Sequence, residues 1–174
     1  MKHSVTGWQV AGFLVTSVVG TLLHFLYDWS GESRIAGLFS AVNESIWEHM
    51  KLVYFPMFLF ALVQRRFADD SRFWCIKLAG ILTALLLIPT LYYTYTGALG
   101  VFADWFNITI FFLAAGAAYY LESKLFQSSV SCTVPSGISF GLLLLIGLLF
   151  VLFTFCTPEI PLFADPRTGK YGIQ

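Results

Sequence analysis

Asn43-Glu44-Ser45-Ile46-Trp47-Glu48-His49-Met50-Lys51 runs without a break into the apolar stretch 52–63, and the reading of this junction decides the fold. The apolar stretch has 12 residues, about 18 Å of helix at the usual rise. A helix crossing a bilayer needs about 20 residues. Counting back from Gln64 puts the membrane edge near Ser45 and carries Glu48, His49 and Lys51 into the bilayer or its interface. Ionisable groups at that depth are costly, face a bundle interior and mark function.

The rest of the chain agrees. Its 174 residues are 57% hydrophobic and only 11% charged, against about 25% charged in a soluble domain. Mean hydropathy is +0.75. This composition predicts an integral membrane protein. Net charge is zero and no basic block is present, so nucleic acid is not an expected partner. The first apolar segment is too long for a signal-peptide core and has no small-x-small cleavage site near its end, so it reads as a span. Cys75, Cys132 and Cys156 form no Cys-x-x-Cys pair, which argues against a disulfide framework or a thiolate metal site.

Five hydrophobic segments predict an all-α, polytopic membrane protein: spans at about 7–29, 43–64, 73–95, 101–121 and 136–157. Backbone groups cannot stay unpaired in lipid, so each span is helical. Pro56 and Pro89 fall inside spans two and three. The transmembrane domain covers 1–157, and 158–174 forms an irregular tail with three prolines. Its Asp165-Pro166-Arg167-Thr168-Gly169 turn and its aromatics favour an ordered lid over a loose end. No internal repeat is evident, which weakens a transporter built on inverted repeats.

Basic residues in short loops set orientation. Lys2, Arg65, Arg66, Arg72, Lys77 and Lys124 fall on one side of a five-span chain, against Arg34, Arg167 and Lys170 on the other. The expectation is a multi-pass protein of the cell membrane with a cytoplasmic N-terminus and an extracytoplasmic C-terminus. The polar residues within the spans then gather in the outer leaflet. His24, Tyr27 and Asp28 end span one there, and Glu44, Glu48 and His49 begin span two. Tyr92, Tyr93 and Tyr95 end span three, and Asp104 and Asn107 begin span four. The inner halves read as nearly all apolar.

Imidazoles and carboxylates converging from separate helices suit zinc, with manganese or iron as alternatives. His24, Glu48, His49 and Asp104 are the candidate ligands of a divalent metal. Glu44, one turn from Glu48, is the candidate general base, and Ser45 a catalytic or substrate-positioning hydroxyl. Asn43, Lys51, Tyr92, Asn107, Asp165 and Tyr171 are candidate substrate-binding residues around the pocket mouth. Each has a plainer reading. Asn43 can cap helix two, Asp28 and the tyrosines can belong to an interfacial belt, Asp104 can favour a helix N-terminus, and Lys51 can simply neutralise Glu48.

The Asn-Glu-Ser-x-x-Glu-His segment and the Pro-Leu-Phe-x-Asp-Pro-x-Thr-Gly-x-Tyr-Gly tail resemble a family of small, uncharacterised bacterial integral membrane proteins. That resemblance spans the whole chain and implies no particular activity. A looser likeness is to intramembrane zinc hydrolases of the alkaline ceramidase type, which combine Ser, Asp and His across helices. This chain departs from them in having five expected spans rather than seven and no late His-x-x-x-His.

Three functions compete on these residues. The first is a metal-dependent hydrolase of a lipid or lipid-linked substrate entering sideways from the bilayer. The second is a transporter or binding protein for a small solute or ion. The third is a structural membrane subunit whose charges only brace the bundle. The sequence carries no signal for an oligomeric state.

Overall fold

A computed structural model describes residues 2–100 and 103–173, with side chains from Val5 onward. The described residues form six α-helices and no strand: α1 (Lys2–Trp29), α2 (Arg34–Gly37), α3 (Ile46–Arg65), α4 (Phe73–Leu99), α5 (Asp104–Gln127) and α6 (Ser136–Phe155). A 3-10 turn, Pro161–Phe163, follows in the tail. Four helical segments are long and apolar enough to cross a membrane: Val5–Trp29, Ile46–Arg65, Phe73–Leu99 and Ser136–Phe155. The fifth, α5, has the length of a span at 24 residues but carries Asp104, Glu122 and Lys124. The expected start of a span at Val101 lies outside the described residues.

Why these helices sit in lipid is visible on α1. Val10, Leu14, Val18, Leu22 and Phe25 recur every three or four residues and are all exposed. Such spacing is one helical stripe, and a contiguous exposed apolar stripe on every outer helix is stable against hydrocarbon rather than water. The opposite stripe holds Gln9, Gly12, Thr16 and Gly20, small or polar residues that let α1 approach its neighbours. A Cβ on Gly20 would lie 2.6 Å from both the Leu52 carbonyl oxygen and the Phe111 ring. Helix α3 is the central element, packed against α1, α4, α5 and α6. Pro56 and Pro89 lie within α3 and α4.

Three expectations are corrected here. The second span does not begin at Asn43. Helix α3 begins at Ile46 with Ser45 as its N-cap, whose hydroxyl accepts from the Glu48 N–H. Asn43 instead accepts from the Ser45 N–H and donates through Nδ2 to the Gly172 carbonyl, tying the tail to the loop before α3. The tail continues in this ordered way. Asp165 is buried and its carboxylate accepts from the backbone of Arg167 and Thr168, while Tyr171 pairs across an isolated bridge with Ala164.

Cysteine usage is the second correction. Cys75 and Cys132 form a disulfide that fastens the α5–α6 loop to the start of α4. They are 57 residues apart, so the hairpin of α4 and α5 brings them together and no local spacing announces the pair. Cys156, at the other end of α6, is free and exposed.

Third, the inner half is not uniformly apolar. Lys77 and Glu122 form a fully buried ion pair at 2.5 Å, with the ammonium 5.5 Å from the centre of the Tyr119 ring. Gln9 and Gln64 are buried as well.

Candidate metal centre

The opposite end of the bundle holds the histidines. His24 lies near the end of α1, one turn past Gly20, so the close packing at that glycine presents it to α3. His49 sits in the first turn of α3, and its Nδ1 is 2.9 Å from the Ser45 carbonyl. A carbonyl only accepts, so Nδ1 carries the proton and Nε2 is left with its lone pair. Glu44 precedes the cap in the bend before α3 and places its carboxylate between the two rings. His49 Nε2 is 3.5 Å from Glu44 Oε2, and His24 Nε2 is 3.8 Å from Glu44 Oε1. The ring centroids are 5.4 Å apart.

This donor set fits a metal. One ligand atom from each of the three residues lies within 4.8 Å of the others. Two ligands about 2.0–2.1 Å from a tetrahedral ion are roughly 3.3 Å apart, so the observed separations need only a small closure. An imidazole lone pair aimed at a carboxylate oxygen is repulsive until a proton or a cation comes between them. Three protein ligands with a fourth position open is the pattern of catalytic rather than structural zinc.

Open space adjoins the three side chains. A cleft of about 280 Å³ is bounded by His24, Glu44 and His49 on one side. Phe25, Ile108, Phe111 and Phe112 form an apolar wall, and Asp104 and Arg167 stand at its mouth. Phe25, Ile108 and Phe112 are themselves exposed on the outside of the bundle, so the apolar wall continues onto the outer surface of the helices. Arg167 reaches from the tail to Asp104 at 2.9 Å. Both are half-exposed, and such a pair contributes little stability, which leaves it free to open. A small recess behind the histidines is lined by Tyr92 and Asn107. Asn107 is held there by the Tyr95 hydroxyl, which donates to its Oδ1 at 2.7 Å.

Not every expected residue joins this centre. The structure turns Glu48 away from the histidines. Its carboxylate takes the Lys51 ammonium at 2.6 Å, the Val42 N–H at 3.0 Å and the Thr154 hydroxyl at 3.0 Å. Lys51 Nζ also donates to the Gly37 carbonyl and to Thr154, each at 2.9 Å. This closed network clasps α3 to the 37–42 loop and to α6, the plainer reading considered for Lys51. Ser45 is spent on the cap, and Asn43 and Asp165 on the tail, while Tyr171 pairs through its backbone and keeps its side chain exposed. Thr154 and Arg167 had not been singled out as site residues. Thr154 sits in the most apolar span with no local motif, whereas Arg167 lies inside the tail turn, whose chemistry was the available signal.

An all-α chain with four helices long and apolar enough to cross a membrane, and a His-Glu-His cluster beside an apolar cleft, defines the class: a membrane protein with a candidate metal centre. The chain belongs to the family of unknown function DUF6512, whose family model matches residues 1–173. No curated protein and no solved structure matches it.

Proposed function

We propose that His24, Glu44 and His49 bind one divalent metal ion, zinc before manganese or iron, and that the protein is a membrane hydrolase of a lipid or lipid-linked substrate. The observation that carries this is the meeting of two imidazole nitrogens on one carboxylate at 3.5 and 3.8 Å. A bound ion would supply Lewis acidity toward a carbonyl or phosphoryl oxygen and a water acidic enough to ionise near neutral pH. Glu44, placed between the histidines, is a ligand in this reading rather than the general base. Asp104 at the cleft mouth takes the base's place, with Arg167 moving off it toward an anionic group on the substrate. The apolar wall holds an acyl or prenyl chain, and Tyr92 and Asn107 bind polar groups in the recess.

The topology proposed with this site has five spans, α5 being the fifth, since it packs along α4 and α1 for a span's length. The basic residues Arg65, Arg66, Arg72 and Lys124 favour a cytoplasmic N-terminus, which puts the cleft at the outer leaflet. The Cys75–Cys132 pair then lies on the cytoplasmic side, where thiols are kept reduced, so the bond closes only under oxidising conditions.

Elemental analysis of protein purified without added metal tests the reading. One equivalent of metal is expected, lost in His24→Ala, His49→Ala and Glu44→Gln. Purified protein should release product from a panel of phospholipid and acyl-lipid substrates, and His49→Ala should not. Folded, metal-free protein with no hydrolysis would refute the proposal. Solute uptake into proteoliposomes would favour a transporter.

A further inference from the structure

At the far end of the bundle from the histidines, polar atoms are buried without partners. Gln9 is 3% exposed, Gln64 4% and Glu122 0%. Gln9 Nε2, Gln9 Oε1, Gln64 Oε1 and Glu122 Oε1 make no hydrogen bond to any of the described residues. Helix register places these groups at one level. Gly12 of α1 lies against Tyr119 of α5 and Phe60 of α3, where a Cβ on it would come within 2.5 and 2.7 Å of their rings. One turn further toward the same end, α1 presents Gln9, α5 presents Glu122 and α3 presents Gln64. Lys77 reaches the same level from α4 through its bond to Glu122 Oε2.

An amide or carboxylate oxygen buried without a bond is destabilising, and buried water is the usual remedy, making about three bonds per molecule. The inventory suits water. One molecule accepts from Gln9 Nε2–H and donates to Gln64 Oε1 and Glu122 Oε1, and a second serves Gln9 Oε1. Lys77 already neutralises Glu122, so a metal cation here would leave an uncompensated buried charge. Gly80 lets the Glu122 carboxylate lie directly against α4, because a Cβ there would lie 2.4 Å from Glu122 Oε1.

We infer that Gln9, Gln64 and Glu122 hold an ordered internal water cluster that completes the Lys77–Glu122 pair in the inner half of the bundle. This site is separate from the proposed metal centre and stands whether or not that centre binds metal.

X-ray radiolytic labelling of purified full-length protein tests it, because hydroxyl radicals formed from bound water modify the side chains beside it. Tyr119 is buried and touches no bulk water, so wild-type protein should show a modified Tyr119. The modification should be lost in Gln9→Leu/Gln64→Leu, while Tyr171 in the exposed tail stays labelled in both. A Tyr119 that remains unmodified in wild-type protein while Tyr171 is modified would overturn the inference, as would labelling that persists in the folded double variant. Thermal unfolding of Gln9→Met gives a second reading. The midpoint should fall if water is bridging, and rise if the amide is merely orphaned.

Discussion

Lys51→Met separates the structural network from the metal centre. Lys51 is fully buried and its partner Glu48 has a side chain 3% exposed, at 2.6 Å. Removing the ammonium leaves a carboxylate in the bundle with only the Val42 N–H and the Thr154 hydroxyl. Breaking a buried pair from one side costs about 3–5 kcal/mol. In a chain of this size each kcal/mol moves the midpoint by about 2–4 °C, so a fall of about 6–20 °C is expected. Lys51→Met/Glu48→Leu removes both charges and should recover part of the loss. It cannot recover all of it, because Gly37 loses a donor and Val42 an acceptor. Trp47 packs against Phe150 at 4.5 Å between centroids, so tryptophan fluorescence during heating in detergent reports the clasp directly. Metal content measured on the same samples should be unchanged in Lys51→Met and absent in His49→Ala, whose midpoint should move far less. A Lys51→Met protein that keeps its midpoint, or that loses metal while His49→Ala retains it, would refute the division of this region into a clasp and a metal centre.

Other tests bear on the centre and its surroundings. Acidification should weaken metal binding, because protons compete with the metal for the imidazole nitrogens; equilibrium dialysis at stepped pH reads the affinity, and an affinity that does not change with pH would argue against histidine ligation. Truncation before Pro158 removes Arg167 from the cleft mouth and the Gly172 acceptor from Asn43. The bundle should still insert, and hydrolysis should fall; full activity would make the tail a passenger. Maleimide labelling of intact cells should spare Cys156 only if its face is cytoplasmic. With the proposed orientation Cys156 is labelled from outside, and Cys75 and Cys132 react only after permeabilisation.

Much of the site could be read from the chain because helix ends need only connectivity to be sorted. In a bundle of antiparallel spans, the end of α1 and the start of α3 must lie at the same membrane face. His24, Glu44 and His49 were therefore placed in one layer before any packing was known. The rotation of side chains within that layer was not legible. The four-residue spacing of Glu44 and Glu48 suggests a shared face only if both are helical. Ser45 caps α3, so Glu44 lies outside the helix, in the preceding bend, and is free to turn toward the imidazoles. Glu48 is fixed by the helix and points instead at Lys51 and α6.

The amino-acid sequence by itself determined the solvent of this protein and the end of the bundle where its chemistry gathers. Apolar composition and the scarcity of charge are sums over residues, and bilayer depth follows from counting along a helix. Partnership across helices was decided by tertiary structure alone. The Cys75–Cys132 bond, the hold of Thr154 on Glu48 and the burial of Lys77 against Glu122 join residues 57, 106 and 45 positions apart. The disulfide depends on where the α5–α6 loop lands, and the other two on the azimuth at which two helices meet. An azimuth changes by about 100° with every residue, so helix starts and close glycine contacts had to be fixed before either of those two pairs could be assigned.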